Sequence, residues 1–500
     1  MHQLIIYFST SSFTILLLGL ALFCWLLIVF SAQRTEYLLY ALIIWFPLET
    51  LVLRYTPIDY YAAVKYLPEV LIYSTALISY WHYRERTKRW FPDLPVNRWL
   101  ILYLLVAVVS LIVNQYNVTI WFLGLRQLLR FVLIFFIVIF ENFSPQILRR
   151  LLTIGIVVII FEAILGIVQY FSGGILDRYL FFTDSISIGN SIELEGGQQT
   201  WAPGQRVFAT LGRYDRLGSL LVIGLTMLFP WFYSLKTVIQ KERWWLIFSI
   251  CTLALVFTYS RASWVAFVAG IITVGYFIMR DRRFFRLVSV GGGLLVVYLL
   301  FVIVTQSFGT GAVALGQQSL RDRVVEAVSL YSWQQSYEGY GRFFFIVNTP
   351  LMVVRYYPLF GVGPGNYGSG VAASLLNRAV YEKLHLPFGI QNTYGQIDNN
   401  WLSIWGEVGT FGLIAWAGLF YEIFIVSFFV QKHSAESTQR LVAQGVCGSV
   451  VAIAVLGFFG PYFEFRSLMV YFWLFAGITF HYFREHVQAW NFLHEKKLEF

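Results

Sequence analysis

The sequence predicts an all-α polytopic membrane protein of about 12–14 transmembrane helices, with a long, partly helical loop outside the membrane. Three observations carry this. Hydrophobic residues are 58% of the 500 and charged residues 13%. Apolar runs near the roughly 20-residue length of a bilayer span recur from end to end. Clusters of lysine and arginine fall on every second connection between those runs. A formal charge of +9 would suit nucleic acid only if the cations formed one basic face. They are scattered through short loops, so nucleic acid is set aside as a partner. Cys24, Cys251 and Cys447 lie in apolar runs without CxxC or metal spacing and read as core residues.

The run at 11–30 lacks a basic leader and a small-residue cleavage site, so it reads as a first span and not as a signal peptide. Further spans are expected near 37–53, 66–82, 98–114, 119–140, 151–171, 217–233, 244–260, 262–279, 287–305, 410–430, 441–460 and 467–482, thirteen in all. The clusters HYRERTKRW (82–90), LRR (148–150), KTVIQKER (236–243) and RDRRFFR (280–286) mark alternate connections, which the positive-inside rule makes cytoplasmic. Two long segments then lie outside. No internal repeat or low-complexity linker divides the chain, so residues 1–500 are expected to form a single membrane domain. Residues 172–216 would be its first extracytoplasmic loop and 306–409 its large extracytoplasmic catalytic loop. Within the second, SLRDRVVEAVSLYSWQQ (319–335) has helix-forming composition. GRFFFIVNTPLMVVRYYP (341–358) spaces its apolar residues as an amphipathic helix ending at Pro358.

Chemistry-bearing residues concentrate on that outer side. In FTYSRASWVAF (257–267), Arg261 stands between two apolar runs. It either snorkels to the interface or binds an anion. A guanidinium there is costly, and it suits phosphate through fixed charge and bidentate hydrogen bonds. Arg342 opens the amphipathic segment, where Arg355 better fits a solvated surface charge. The following GVGPGN lacks the strand and helix of a dinucleotide site and the lysine of a phosphate-binding loop, so it reads as a tight turn. QIDNNWLSIWGEVGTFGLIAW (396–416) leads a polar cluster into a span. Asp398, Asn399 and Asn400 there suit a helix cap, and a carboxylate near arginines also suits taking a proton from a hydroxyl. The two roles are compatible.

PGQRVFATLGRYDRLG sets Arg206, Arg213 and Arg216 beside Asp215, as a solvated loop or a second anionic site. Arg126 and Arg130 in GLRQLLRF share a helix face at i, i+4, within reach of the same headgroup. No Cys/His cluster or convincing pair of external carboxylates appears, so neither metal nor other cofactor is expected.

The blocks TYSRASW, GRFFFIVNTPLMVVRYYPLFGVGPGNYG and DNNWLSIWGEVGTFGLIAW, in this order across one long external loop, resemble the O-antigen ligase and polymerase family of bacterial envelope enzymes. The resemblance covers 257–416, and RVFATLGRYDRLGSLL (206–221) is similar more weakly. It implies a GT-C-like, metal-independent, inverting glycosyltransferase on the outer face of the bacterial inner membrane. By that resemblance Arg261 and Arg342 engage the diphosphate of an undecaprenyl-diphosphate-linked glycan donor. Arg213, Arg216, Arg126 and Arg130 are further diphosphate candidates. A nearby base activates the hydroxyl of a glycan acceptor. Ligases carry His-Asn where this chain has Asp398-Asn399, which leaves the base open among Asp398, Glu407 and His385, with Asn399 alongside. The same departure favours a polymerase of O-antigen, capsule or exopolysaccharide repeat units over a ligase that uses lipid A core. Membrane lipids, and a chain-length regulator and flippase of the same pathway, are the implied partners. A lipid or sugar transporter is the remaining alternative, although the chain lacks the internal repeats and midplane carboxylate pair that such a protein would show.

Overall fold

The computed structural model describes residues 34–180, 206–234, 238–293 (apart from 283, 287, 291 and 292) and 330–498. Among them regular structure is helical throughout, save one isolated bridge between Gly368 and Gln396. The long helices are α1 (Glu36–Tyr55), α2 (Ile58–Thr87), α3 (Asn97–Asn114), α4 (Val118–Leu129), α5 (Val132–Glu141) and α6 (Pro145–Phe171). They continue as α7 (Tyr214–Ser234), α8 (Val238–Phe257) and α9 (Arg261–Ile272). The loop between spans contributes α10 (Leu330–Glu338), α11 (Arg342–Asn348), α12 (Gly370–Ser374) and α13 (Ala379–Lys383). Three long helices close the chain: α14 (Asn400–His433), α15 (Ser437–Phe459) and α16 (Arg466–Leu498).

Every expected span that falls on described residues is helical. The run at 11–30 and nearly all of 287–305 lie outside them. Among the described residues seven helices are individually long and apolar enough to cross a bilayer, and eight qualify if α4 and α5 count as one span bent by 58°. This is a multi-pass membrane protein. The expected span at 119–140 is that bent pair, broken at Arg130 and Phe131, where Arg130 turns to a buried carboxylate. α2 and α16 are long but carry charged ends, and α16 also holds His481, Arg484 and several Tyr and Trp, which are less apolar than Leu or Ile.

The core centres on α7 and α15, the most enclosed spans, with 78% of each hydrophobic window buried. Small residues let them approach their neighbours, as membrane helices require when lipid is as apolar as leucine. A Cβ on Gly270 of α9 would lie 2.6 Å from Thr226 and 3.1 Å from the Gly448 carbonyl. Thr226 and Ser449 hydroxyls hydrogen-bond across α7 and α15 at 2.8 Å.

The polar residues separate into two ends. At one, Arg84 lies 3.4 Å over the Trp90 ring, His82 meets Glu141 at 3.2 Å, Arg484 donates to the Ile139 carbonyl at 2.9 Å and Arg149 meets Glu436 at 3.4 Å. These are the basic connections that the charge alternation placed together. The other end carries the segment 338–399, folded as a cap with its own core of Phe345, Val353, Tyr367, Tyr381, Phe388 and Ile397. The amphipathic helix expected to reach Pro358 runs as α11 to Asn348, widens to a π-helix over Thr349–Val354 and stops there. Pro350, which has no N–H to donate, sits where the helix widens. Of the helix expected at 319–335, the part before residue 330 lies outside the described residues, and the rest is α10.

Candidate functional site

The site is built on a break in a helix. Gly409 interrupts α14 with φ +66° and ψ −169°, in the left-handed half of the map that glycine tolerates. Such a break strands backbone groups, which need protein partners where water is scarce. The glycine-rich loop supplies them. Thr410 N–H donates to the Pro358 carbonyl at 2.9 Å and Phe411 N–H to that of Leu359 at 3.3 Å. In return Val362 N–H donates to the Gly406 carbonyl at 2.9 Å and Gly363 N–H to that of Glu407 at 2.7 Å. A Cβ on Gly361 would stand 2.4 Å from Glu407 backbone atoms, so only glycine permits this approach. The Glu407 side chain is buried and turns into the same loop, its Oε1 accepting from Gly365 N–H at 2.9 Å and Tyr367 N–H at 3.4 Å.

Asp398 stands just before this helix. Asn399 caps it, its side-chain oxygen accepting from Leu402 N–H at 3.0 Å. Asn400 turns the other way and accepts from Phe463 N–H at 2.7 Å. Asp398 pairs instead with Arg342, whose Nη2 donates to Oδ2 at 3.0 Å. The two side chains are 40% and 39% exposed, so the pair is open to a ligand. Arg342 Nε is buried without a hydrogen-bond partner, so a ligand would be met by the terminal nitrogens of the guanidinium.

Two other segments converge on this pair. Arg213 grips Asp215 through Nε at 3.1 Å and Nη2 at 2.8 Å. Its pKa is raised, chiefly by Asp215 and to a smaller degree by Asp398, which puts Arg213 within electrostatic reach of the open pair. Arg206 lies 4.4 Å over the Tyr214 ring. Between α15 and α16 the turn GPYFEF carries Tyr462, nearly fully buried. Burial pushes its phenol up, Asp215 and Tyr214 add to that, and Arg342 and Ser260 act the other way. Ser260 immediately precedes Arg261, the first residue of α9. The turn bearing Arg261 is pinned to the Arg213 loop by Val207 N–H on the Phe257 carbonyl at 3.2 Å. Arg342, Asp215 and Tyr214 thus lie within electrostatic reach of Tyr462, a residue that no motif in the sequence had marked, and Arg261 follows Ser260, which also acts on it.

Arg126 and Arg130 lie elsewhere. Both pair with Glu69 of α2, Arg130 Nη1 meeting Oε1 at 2.9 Å, and Arg466 reaches the same oxygen at 2.7 Å. Arg466 also closes an ion pair with Glu49 of α1. Arg216 sits at the edge of this network, 5.7 Å over the Phe465 ring and 3.4 Å from Thr50 Oγ1. The available signal was Glu49 and Glu69, acidic residues in or beside apolar runs, where a charge usually has a partner.

Glu464, with its carboxyl pKa raised by burial, ties the network to the site. It accepts from Gln127 at 3.0 Å, Gly370 N–H at 3.0 Å and Asn400 at 3.4 Å. His385 is exposed on the cap, just after α13, with φ +51°. Among the described residues no group of three His, Cys, Asp or Glu could hold a metal ion.

This arrangement presents half-open guanidinium groups and one carboxylate at an end of a membrane bundle. It is suited to holding a dianion beside a hydroxyl. Residues 246–417, which include Arg261, Arg342, the glycine-rich loop, Asp398 and Glu407, match the family model described as O-Antigen ligase. Comparison with curated proteins gives no match.

Proposed function

We propose that this protein polymerises oligosaccharide repeat units carried on undecaprenyl diphosphate, by metal-independent, inverting glycosyl transfer on the outer face of the inner membrane. The observation that carries the reading is the half-exposed Arg342–Asp398 pair, with Arg213 and Tyr462 in electrostatic reach of its members. Donor diphosphate binds to Arg342 and Arg261 and displaces Asp398 from Arg342, since a dianion outcompetes a monoanion for one guanidinium. Asp398 is then released toward the acceptor hydroxyl. That oxygen attacks the anomeric carbon from the face opposite the diphosphate, and Asp398 orients the hydroxyl and receives its proton. The carbon–oxygen bond to the lipid diphosphate breaks with its electron pair going to the phosphate oxygen. The fixed arginines stabilise the charge that develops there. Asn399 and Glu407 serve the scaffold, as helix cap and loop anchor. His385 stays a candidate base of the cap, and Arg216, Arg126 and Arg130 support the site from the buried network.

A ligase acting on lipid A core is the second reading, favoured by the description of the matching family model. Purified protein given lipid-diphosphate oligosaccharide alone, and then with core acceptor, separates the two. Longer lipid-linked glycan without core supports polymerisation, and product formed only with core overturns it. The reaction is expected to proceed unchanged in excess EDTA, and activity restored by a divalent cation after chelation would refute metal independence.

A further inference from the structure

A groove opens at the end of the bundle away from the cap, between the first turns of α1 and α6. It measures about 520 Å³ and is lined by Tyr40 on α1 and by Pro145, Gln146, Arg149, Arg150, Thr153 and Ile154 on or beside the first turns of α6. We propose that this groove binds the phosphate headgroup of an anionic glycerophospholipid.

Two independent features point to lipid. The first is the head of the groove. Arg149 and Arg150 are both exposed there, and Arg149 holds only a loose bridge to Glu436 at 3.4 Å, with side chains 66% and 47% exposed. Such an exposed pair yields readily to a better anion. The Tyr40 hydroxyl is buried and makes no hydrogen bond of good geometry, yet Arg150 lies close enough to act on it electrostatically. α6 begins with Pro145 at its first position, and Ser144 gives it no side-chain cap, so the positive end of a 27-residue helix also faces this region. Opposing these cations are Glu36, which acts on Tyr40, and Glu436. Arg34 stands near Glu36 on the same side.

The second feature is the apolar surface below the head. α6 exposes Val157, Phe161, Ile164 and Val168, a stripe at helical spacing that continues the face of Thr153 and Ile154. On α1, Ile44 is exposed one turn beyond Tyr40. A phosphate alone would use the head of the groove and not this stripe, whereas a phospholipid uses both. Basic pockets between transmembrane helices are known hosts for anionic headgroups at the membrane surface.

The inference does not rest on glycosyl transfer and is tested without it. Full-length protein in detergent is titrated with phosphatidylglycerol, phosphatidylethanolamine or inorganic phosphate, and binding is read by native mass spectrometry and thermal unfolding. Phosphatidylglycerol should be retained and should raise the melting temperature. The double variant Arg149→Gln/Arg150→Gln should weaken its apparent affinity by about tenfold or more and leave the lipid-free melting temperature near that of the parent. Thr153→Trp, which fills the groove and keeps both arginines, should reduce retention as well and serves if the double variant folds poorly. Equal retention by parent and both variants overturns the proposal. So does equal stabilisation by phosphatidylethanolamine, and equal stabilisation by inorganic phosphate makes this a free-anion site and overturns the lipid assignment.

Discussion

The cap end holds two sets of arginine–carboxylate pairs that differ in one respect. Arg342 and Asp398 meet through a single contact of 3.0 Å with both side chains about two-fifths exposed. Arg126, Arg130 and Arg466 converge on Glu69, which is 3% exposed, and tie α2, α4 and α16 together. Residue types are the same in the two sets, and what separates them is access. A buried arginine held by several partners contributes to architecture, because solvent and ligand cannot reach its terminal nitrogens. A half-open arginine held by one exposed carboxylate can exchange it for a ligand. Counting arginines along the sequence cannot make that distinction, because the partners of the buried set lie on α1, α2 and α16, far away in the chain.

The largest expected effect breaks the open set. Arg342→Ala and Arg261→Ala should each take glycosyl transfer below detection while the melting temperature stays near that of the parent. Arg342→Lys should recover only part of the rate, because a point charge cannot form the bidentate pair. Turnover measured beside thermal unfolding checks this, and an active alanine variant of either residue removes it from the diphosphate site. Next in size is the reverse result at the buried set. Arg466→Ala leaves Glu49 and Glu69 without a shared cation and should destabilise the fold by about 3–5 kcal/mol. Expression and detergent half-life should collapse together. A stable but inactive Arg466→Ala protein would mean that the buried network also handles substrate.

Much of the fold was legible because a bilayer imposes length and apolarity on each span, and both are local properties of the sequence. The kink at Gly409 explains why hydropathy placed a span at 410–430 although α14 begins at Asn400. The apolar stretch beyond the break is what composition registers, and the turns before it belong to the cap. The candidate site was legible in its motif residues. Arg342 and Asp398, 56 residues apart, do meet. Tyr462 and Glu464 were not legible, since a turn of six residues between two spans carries no spacing signal. Arg126 and Arg130 share a face as their i, i+4 spacing required, but which partner that face meets depends on helix packing.

A smaller effect sharpens the comparison at the carboxylate itself. Asp398→Asn keeps the shape of the side chain and removes its charge. If Asp398 serves the acceptor hydroxyl, turnover should fall by roughly 10²–10⁴-fold with donor binding and melting temperature nearly unchanged. Because Asn399 already caps α14, little stability depends on Asp398. Near-parental turnover in this variant would move the base to His385 or Glu407.

The smallest effect belongs to the neighbouring residue and tests whether cap and chemistry are truly divided between adjacent positions. Asn399 has extended backbone geometry, φ −162° and ψ 105°, and its side chain satisfies the Leu402 N–H, one of the donors that a helix start leaves open. Asn399→Ala removes that acceptor and should cost about 1 kcal/mol of stability. The first turns of α14 are also held by Asn400 on Phe463 N–H and by the glycine-rich loop at Gly406 and Glu407, so the helix start should loosen without unravelling. Turnover should then fall only a few-fold, because Asp398 stays attached to a slightly less ordered start. Asn399→Ser, which restores a capping oxygen, should recover most of both losses. The opposite pattern, with Asn399→Ala losing rate as severely as Asp398→Asn at an unchanged melting temperature and Asn399→Ser failing to restore it, would place Asn399 among the groups that touch substrate and leave Asp398 as the partner that holds Arg342 in place.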